Sequence, residues 1–216
     1  MIVLGIHTAG PGCDLALLQN GERVASLQES MSRGQDARLP GLLSELLAQA
    51  SLTLNRIDRF AVVTGPGSFT GIRVGVAFAR GLALATGTPC VGVTTLEASL
   101  PLGQQGSAIV ALPAQKRPPD ITFWTQTFRT GMATGAAKEM RAEDLIALLA
   151  NHPHMVFGDP DLVGPSLENT IVHSAQPSAL RAAQAAAEFD PEMRPARPTY
   201  ARAPDAALPA ASRTSN

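Results

Sequence analysis

Apolar residues open the chain almost without a break. Ile2, Val3, Leu4 and Ile6 form a β-branched run of the kind found in a strand covered on both faces. A turn rich in helix and strand breakers follows over residues 7–12, and then two further strands over 14–19 and 22–29. Asn20-Gly21 between them supplies the two positive-φ residues that a tight hairpin needs. Leu39, Leu42, Leu43, Leu46 and Leu47 recur at helical spacing and predict an amphipathic helix that Pro40 can start in its first turn. A strand over 58–64, a loop over 65–71 and a helix over about 72–86 come next, closed by Gly87 and Pro89. A short strand (90–93) and a short helix (96–100) complete this half.

Beyond a break at 101–106 the periodicity weakens. Strands are expected over 108–112, 121–128 and 155–158, with helices over 142–150 and, rich in alanine, over 177–189. A meander followed by alternating strands and helices predicts an α/β fold of packed layers. The expected division is a first lobe over 1–102, a smaller second lobe over 103–190, and a Pro-rich segment over 191–216, its end mobile.

Composition narrows the function classes. Only seven Phe, one Trp and one Tyr occur in 216 residues, so the core must be aliphatic. A net charge of −1 provides no global field to draw the chain to nucleic acid or an anionic membrane. Cys13 and Cys90 lack a CxxC spacing, which fits a reducing compartment. The longest apolar stretch, 74–85, contains Arg80 and two glycines and is short for a bilayer span. No basic-then-apolar leader opens the sequence, so a soluble, cytoplasmic protein is expected.

The loop Gly65-Pro66-Gly67-Ser68-Phe69-Thr70-Gly71 invites a nucleotide reading that its spacing resists. Five residues separate Gly65 from Gly71 and Ile72-Arg73 follows, whereas a P-loop needs four and then Gly-Lys-Ser/Thr. A dinucleotide fingerprint would need glycine where Thr70 stands. What remains is either a structural turn with Ser68 or Thr70 as helix cap, or a weak anion or nucleotide loop using Thr8, Gly65, Gly67 and Ser68. Behind it, Gly71, Gly75, Ala79 and Ala83 form a ridge almost free of side chain. Such a ridge serves close approach, either to the protein's own sheet or to a partner helix. The second choice makes Leu39, Leu42, Leu43, Leu46, Gly71, Gly75 and Ala79 a candidate partner interface. His152, His154 and His173 lack any known ligand spacing, Ser68 lacks a GxSxG setting, and no catalytic residues and no metal site are assigned.

Several segments taken together resemble the TsaB family, also classed as glycoprotease-like or M22 peptidase-like: residues 2–9, the stretch Val63-Thr64-Gly65-Pro66-Gly67-Ser68-Phe69-Thr70-Gly71-Ile72-Arg73-Val74-Gly75, residues 92–97, and the ending Pro198-Thr199-Tyr200-Ala201-Arg202. The resemblance is dense over 1–100 and thin over 101–190. It implies an actin-like ATPase (ribonuclease H-like) fold of two α/β lobes, the second reduced. It also implies a non-catalytic scaffold subunit of the complex that transfers a threonylcarbamoyl group to the adenosine beside the anticodon of tRNA. The implied partners are a TsaD-like catalytic subunit and a TsaE-like ATPase, with self-pairing when alone, tRNA contact only through the complex, and no membrane. No cofactor is expected beyond weak ATP or ADP binding. The alternative is an enzyme in its own right, a nucleotide hydrolase or an M22-type metallopeptidase. Three departures bear on it: His7-Thr8-Ala9 stands where relatives keep an aspartate, residues 33–43 carry no histidine pair, and 112–116 replaces an Asp-Ala-Arg turn.

Overall fold

A computed structural model describes residues 1–115, 121–152, 154–167 and 170–199. Strands β1 (Ile2–His7), β2 (Gly12–Gln19) and β3 (Glu22–Ser30) form the expected meander, and Asn20 (φ 52°) and Gly21 (φ 89°) make its turn. Helix α1 (Gln35–Gln49) begins after Gly34, whose positive φ ends the preceding turn, so Pro40 sits inside the helix rather than in its first turn. Strand β4 (Arg59–Val63), helix α2 (Phe69–Thr86) and strand β5 (Cys90–Val93) follow, and a single 3-10 turn at Glu97–Ser99 replaces the short helix expected there. The first sheet runs β3-β2-β1-β4-β5, with the meander antiparallel and β1, β4 and β5 parallel.

The second sheet repeats this plan. It contains β6 (Ser107–Gln115), β7 (Thr122–Arg129), β8 (Met132–Ala133), β9 (Lys138–Arg141), β10 (Met155–Gly158) and β11 (Val172–Ser174). Strand β7 lies antiparallel to β6 and is followed outward by β8 and β9, while β10 and β11 are parallel on the other side. Helix α3 (Ala142–Asn151) takes the place of α1. The place of the 18-residue α2 is taken by α4 (Pro160–Val163), four residues long, and a 3-10 turn at Gly164–Ser166. The second lobe is the same topology with one helix cut to a single turn, which explains its faint periodicity. Asp159 and Asp161 belong to that turn: the Asp159 carboxylate accepts from the backbone N–H of Asp161 and Leu162 as the cap of α4.

The last helix, α5 (Ala179–Glu188), lies within the span expected for the second lobe, yet it packs on the first sheet. Ala182, Ala183 and Ala186 are fully buried in the first lobe's core. Small side chains are needed because the helix backbone touches the strand: a Cβ on Gly5 of β1 would overlap the Ala179 carbonyl oxygen. Asp14 accepts from the Ala179 N–H at 2.7 Å, and Arg59 donates to the carbonyl oxygens of Ala186, Ala187 and Phe189 at the other end. The chain then runs along the edge of the sheet: Gly92 donates to the Arg194 carbonyl and Thr199 to that of Thr64. Residues 200–216, including Tyr200, Ala201 and Arg202 of the family-like ending, lie outside the described residues, as do Lys116 and Pro153.

Candidate functional site

The glycine loop is built around the first turn. Ser68 caps α2 by accepting from the Gly71 N–H at 3.2 Å, and the Ser68 N–H itself donates to the Ala9 carbonyl at 2.8 Å. Thr8 donates its hydroxyl to the Gly71 carbonyl at 2.7 Å. Thr95 donates its backbone N–H to the Gly65 carbonyl at 2.9 Å and its hydroxyl to that of Pro66 at 2.6 Å. A Cβ on Gly71 would overlap the Thr8 carbonyl oxygen, and one on Gly75 would overlap Thr8 Oγ1. Of the four residues read as an anion loop, Thr8 is thus wholly buried and bonded to α2, and Gly65 is tied to Thr95. Gly67 and Ser68 stay exposed, with the Ser68 N–H already used.

The seven residues read as a partner interface belong to the protein's own core, a correction with a packing cause. Leu39, Leu42, Leu43 and Leu46 are no more than 6% exposed, Ala79 is fully buried, and Gly71 and Gly75 close on Thr8. The ridge fits its own sheet. By length and composition α2 is apolar enough to cross a membrane, but it spends that ridge on the first turn and β4. Its opposite face is the one that reaches solvent: Phe69 is 50% and Leu84 87% exposed, and Ala77 and Gly81 lie between them, also exposed. Arg73 stacks its guanidinium 3.8 Å from the Phe69 ring centroid. Helix α1 exposes Gly41, Ser44, Glu45 and Ala48. Reading the small residues alone missed this face, because its signal is large apolar residues at i and i+15, where an inward ridge already accounts for the periodicity.

The first turn also shapes a cavity of about 160 Å³, with His7 and Asp14 on one side and Gln28, Gln176 and Pro177 on others. His7 and Asp14 are cross-strand partners in the β1–β2 register. Burial pushes the His7 imidazole down to about 4, so it is neutral at neutral pH, and its Nδ1 has no hydrogen-bond partner among the described residues. Burial also raises the Asp14 carboxyl, partly offset by the Ala179 N–H. Nearby Glu29 is held by Arg38 at 2.7 Å. A neutral ring in place of a carboxylate cannot attract a phosphate-bound cation. Among the described residues no three His, Cys, Asp or Glu side chains converge on a point that could hold a metal ion. His154 contacts the His152 carbonyl and His173 packs 5.5 Å from the Phe157 ring, so the histidines do not gather.

Residues 26–116 match the family model described as TsaD, tRNA N6-adenosine threonylcarbamoyltransferase. The chain is 34% identical over 119 residues to the tRNA threonylcarbamoyladenosine biosynthesis protein TsaB of Haemophilus influenzae, covering 53% of this chain and 50% of the relative. It spans half or less of the length of the first curated relatives it matches. An uncharacterised protein of Mycobacterium bovis is 31% identical over 210 residues, covering 94% of this chain and 93% of the relative. The solved structure of YeaZ from Pseudomonas aeruginosa superposes with a TM-score of 0.70 at 23% identity, over 92% of this chain and 99% of that one. With more distant neighbours, it gives the fold as that of the actin-like ATPases. The relatives named TsaB, at 34% and 38% identity over about half of this chain, together with the YeaZ fold, make the chain TsaB/YeaZ-like.

Proposed function

We propose that the chain is a non-catalytic assembly subunit in tRNA threonylcarbamoyladenosine formation, acting by docking to a TsaD-like catalytic subunit rather than by making bonds itself. The observation that carries this reading is the outward face of α2. Leu84 at 87% and Phe69 at 50% exposure flank Ala77 and Gly81, so two large apolar side chains border a shallow strip where another helix can approach closely. The same face is open to a second copy of this chain, so self-pairing in the absence of the partner belongs to the same proposal. Engagement of a TsaE-like ATPase follows from the complex, and so does tRNA contact, to which the exposed Arg73 and Arg80 would contribute within a larger basic surface. The work is assigned to the cytoplasm.

The reading extends to cofactors. The Thr8 hydroxyl is spent on the Gly71 carbonyl, and the neutral His7 replaces the expected aspartate, which supports weak nucleotide binding at most and no resident metal. Co-expression with a TsaD-type protein tests the proposal. A stable one-to-one complex and no turnover by the isolated chain are expected. Turnover by the chain alone, of a nucleotide or a peptide, would contradict it.

A further inference from the structure

A second cavity lies between the two sheets' halves of the chain, on the far side of α5 from β1. It has a volume of about 190 Å³, and its walls come from both halves of the chain. Leu100, Phe128 and Phe189 contribute apolar surface, while Leu102 and Met132 stand at its mouth, 62% and 58% exposed. Into this apolar setting α5 places Arg181, which donates from Nη1 to Gln184 Oε1 at 3.1 Å. No carboxylate pairs with Arg181 among the described residues. Glu97, also in the wall, is committed to Arg194 at 2.8 Å and accepts from the Thr94 N–H, while Glu188 is exposed at the last turn of α5.

A half-buried guanidinium at the edge of an apolar cavity lacks the planar anion it is shaped to hold. We propose that this cavity is a binding site for a small apolar monocarboxylic acid. Its hydrocarbon body lies between Leu100, Phe128 and Phe189, and its carboxylate accepts from Arg181. Cavities that bind small molecules combine such an apolar lining with one or two polar groups that fix orientation. Because the walls belong to both lobes, occupancy stabilises them together by mass action.

The test is calorimetric titration of the full chain with butanoate, pentanoate and hexanoate, with hexanol and hexylamine as charge controls. Hexanoate is expected to bind about tenfold tighter than hexanol, the value of a charge-assisted hydrogen bond, and affinity to rise about fourfold per buried methylene. Arg181→Met should remove the advantage of acid over alcohol while leaving hexanol unchanged. Met132→Ser, at the exposed mouth, should flatten the chain-length series, and Glu188→Gln should tighten the acid severalfold. Equal binding of acid and alcohol, hexanoate bound by Arg181→Met as by the wild type, or no binding of any acid would overturn the assignment.

Discussion

The Thr8 hydroxyl and the Gly71 carbonyl meet at 2.7 Å, joining the end of β1 to the first turn of α2 with no side chain between them. One helical turn later Gly75 lies on the same threonine. The glycine-rich signature of the chain is therefore a clamp that seats a helix on a turn.

That clamp makes a contrast of sign within one helix. Gly75→Ala inserts a methyl group into Thr8 Oγ1 and should destabilise the fold by about 2–3 kcal/mol, an overpacking cost. Gly81→Ala, where a Cβ meets open space on the outward face, should stabilise it by about 0.5–1 kcal/mol through helix propensity. Urea unfolding of both variants checks this, and equal effects would mean that α2 is rotated from the described orientation.

Acid should weaken the protein through His7. Its folded-state value is about 4 against 6.5 for the free side chain, so between those limits the unfolded chain binds the extra proton and stability falls as pH drops from 6.5 towards 4. The full loss is on the order of 3 kcal/mol. Asp14, raised by burial, acts in the opposite sense, protonating more readily folded than unfolded. Unfolding free energies at pH 7 and pH 5 should differ clearly in the wild type, and the difference should shrink in His7→Gln. An unchanged slope in that variant would show that the imidazole titrates normally.

The C-terminal strap is fastened by the Arg194–Glu97 pair, in which the carboxylate side chain is only 4% exposed. Arg194→Met leaves that carboxylate buried with the Thr94 N–H as its remaining partner, and should cost about 2 kcal/mol, below the range for fully buried pairs because Arg194 is itself a third exposed. Arg194→Met combined with Glu97→Gln should recover part of the loss, since no charge is then stranded. Thermal unfolding of the two variants measures it, with each kcal/mol worth about 2–4 °C at this chain length.

How much of this was legible in the sequence follows from where the periodicity was strong. Leu39, Leu42, Leu43 and Leu46 announced α1, and Asn20-Gly21 the hairpin, because in both places local pattern and tertiary packing agree. The same residues misled when asked which body they pack against. A small-residue stripe such as Gly71, Gly75 and Ala79 reports close approach but not its target, and here the target is Thr8, more than sixty residues away in sequence. Helix α5 was visible as an alanine-rich run, but nothing local placed it on β1. That placement rests on Gly5 and on Asp14 reaching Ala179, contacts separated by more than a hundred residues. The His7 nitrogen left without a partner among the described residues and the Arg181 cavity are likewise products of tertiary packing, with no sequence spacing to give them away.

The outward face of α2 carries the functional account, and Leu84 is its most exposed large residue. Leu84→Glu should leave stability within about 0.5 kcal/mol of the wild type, as surface changes do. The most direct measurement is the mass, by light scattering, of the wild type and of Leu84→Glu, each mixed with an equimolar TsaD-type partner. The account predicts a one-to-one complex for the wild type and separate monomers for the variant. Two complexes of equal mass, or no complex with the wild type, would contradict it.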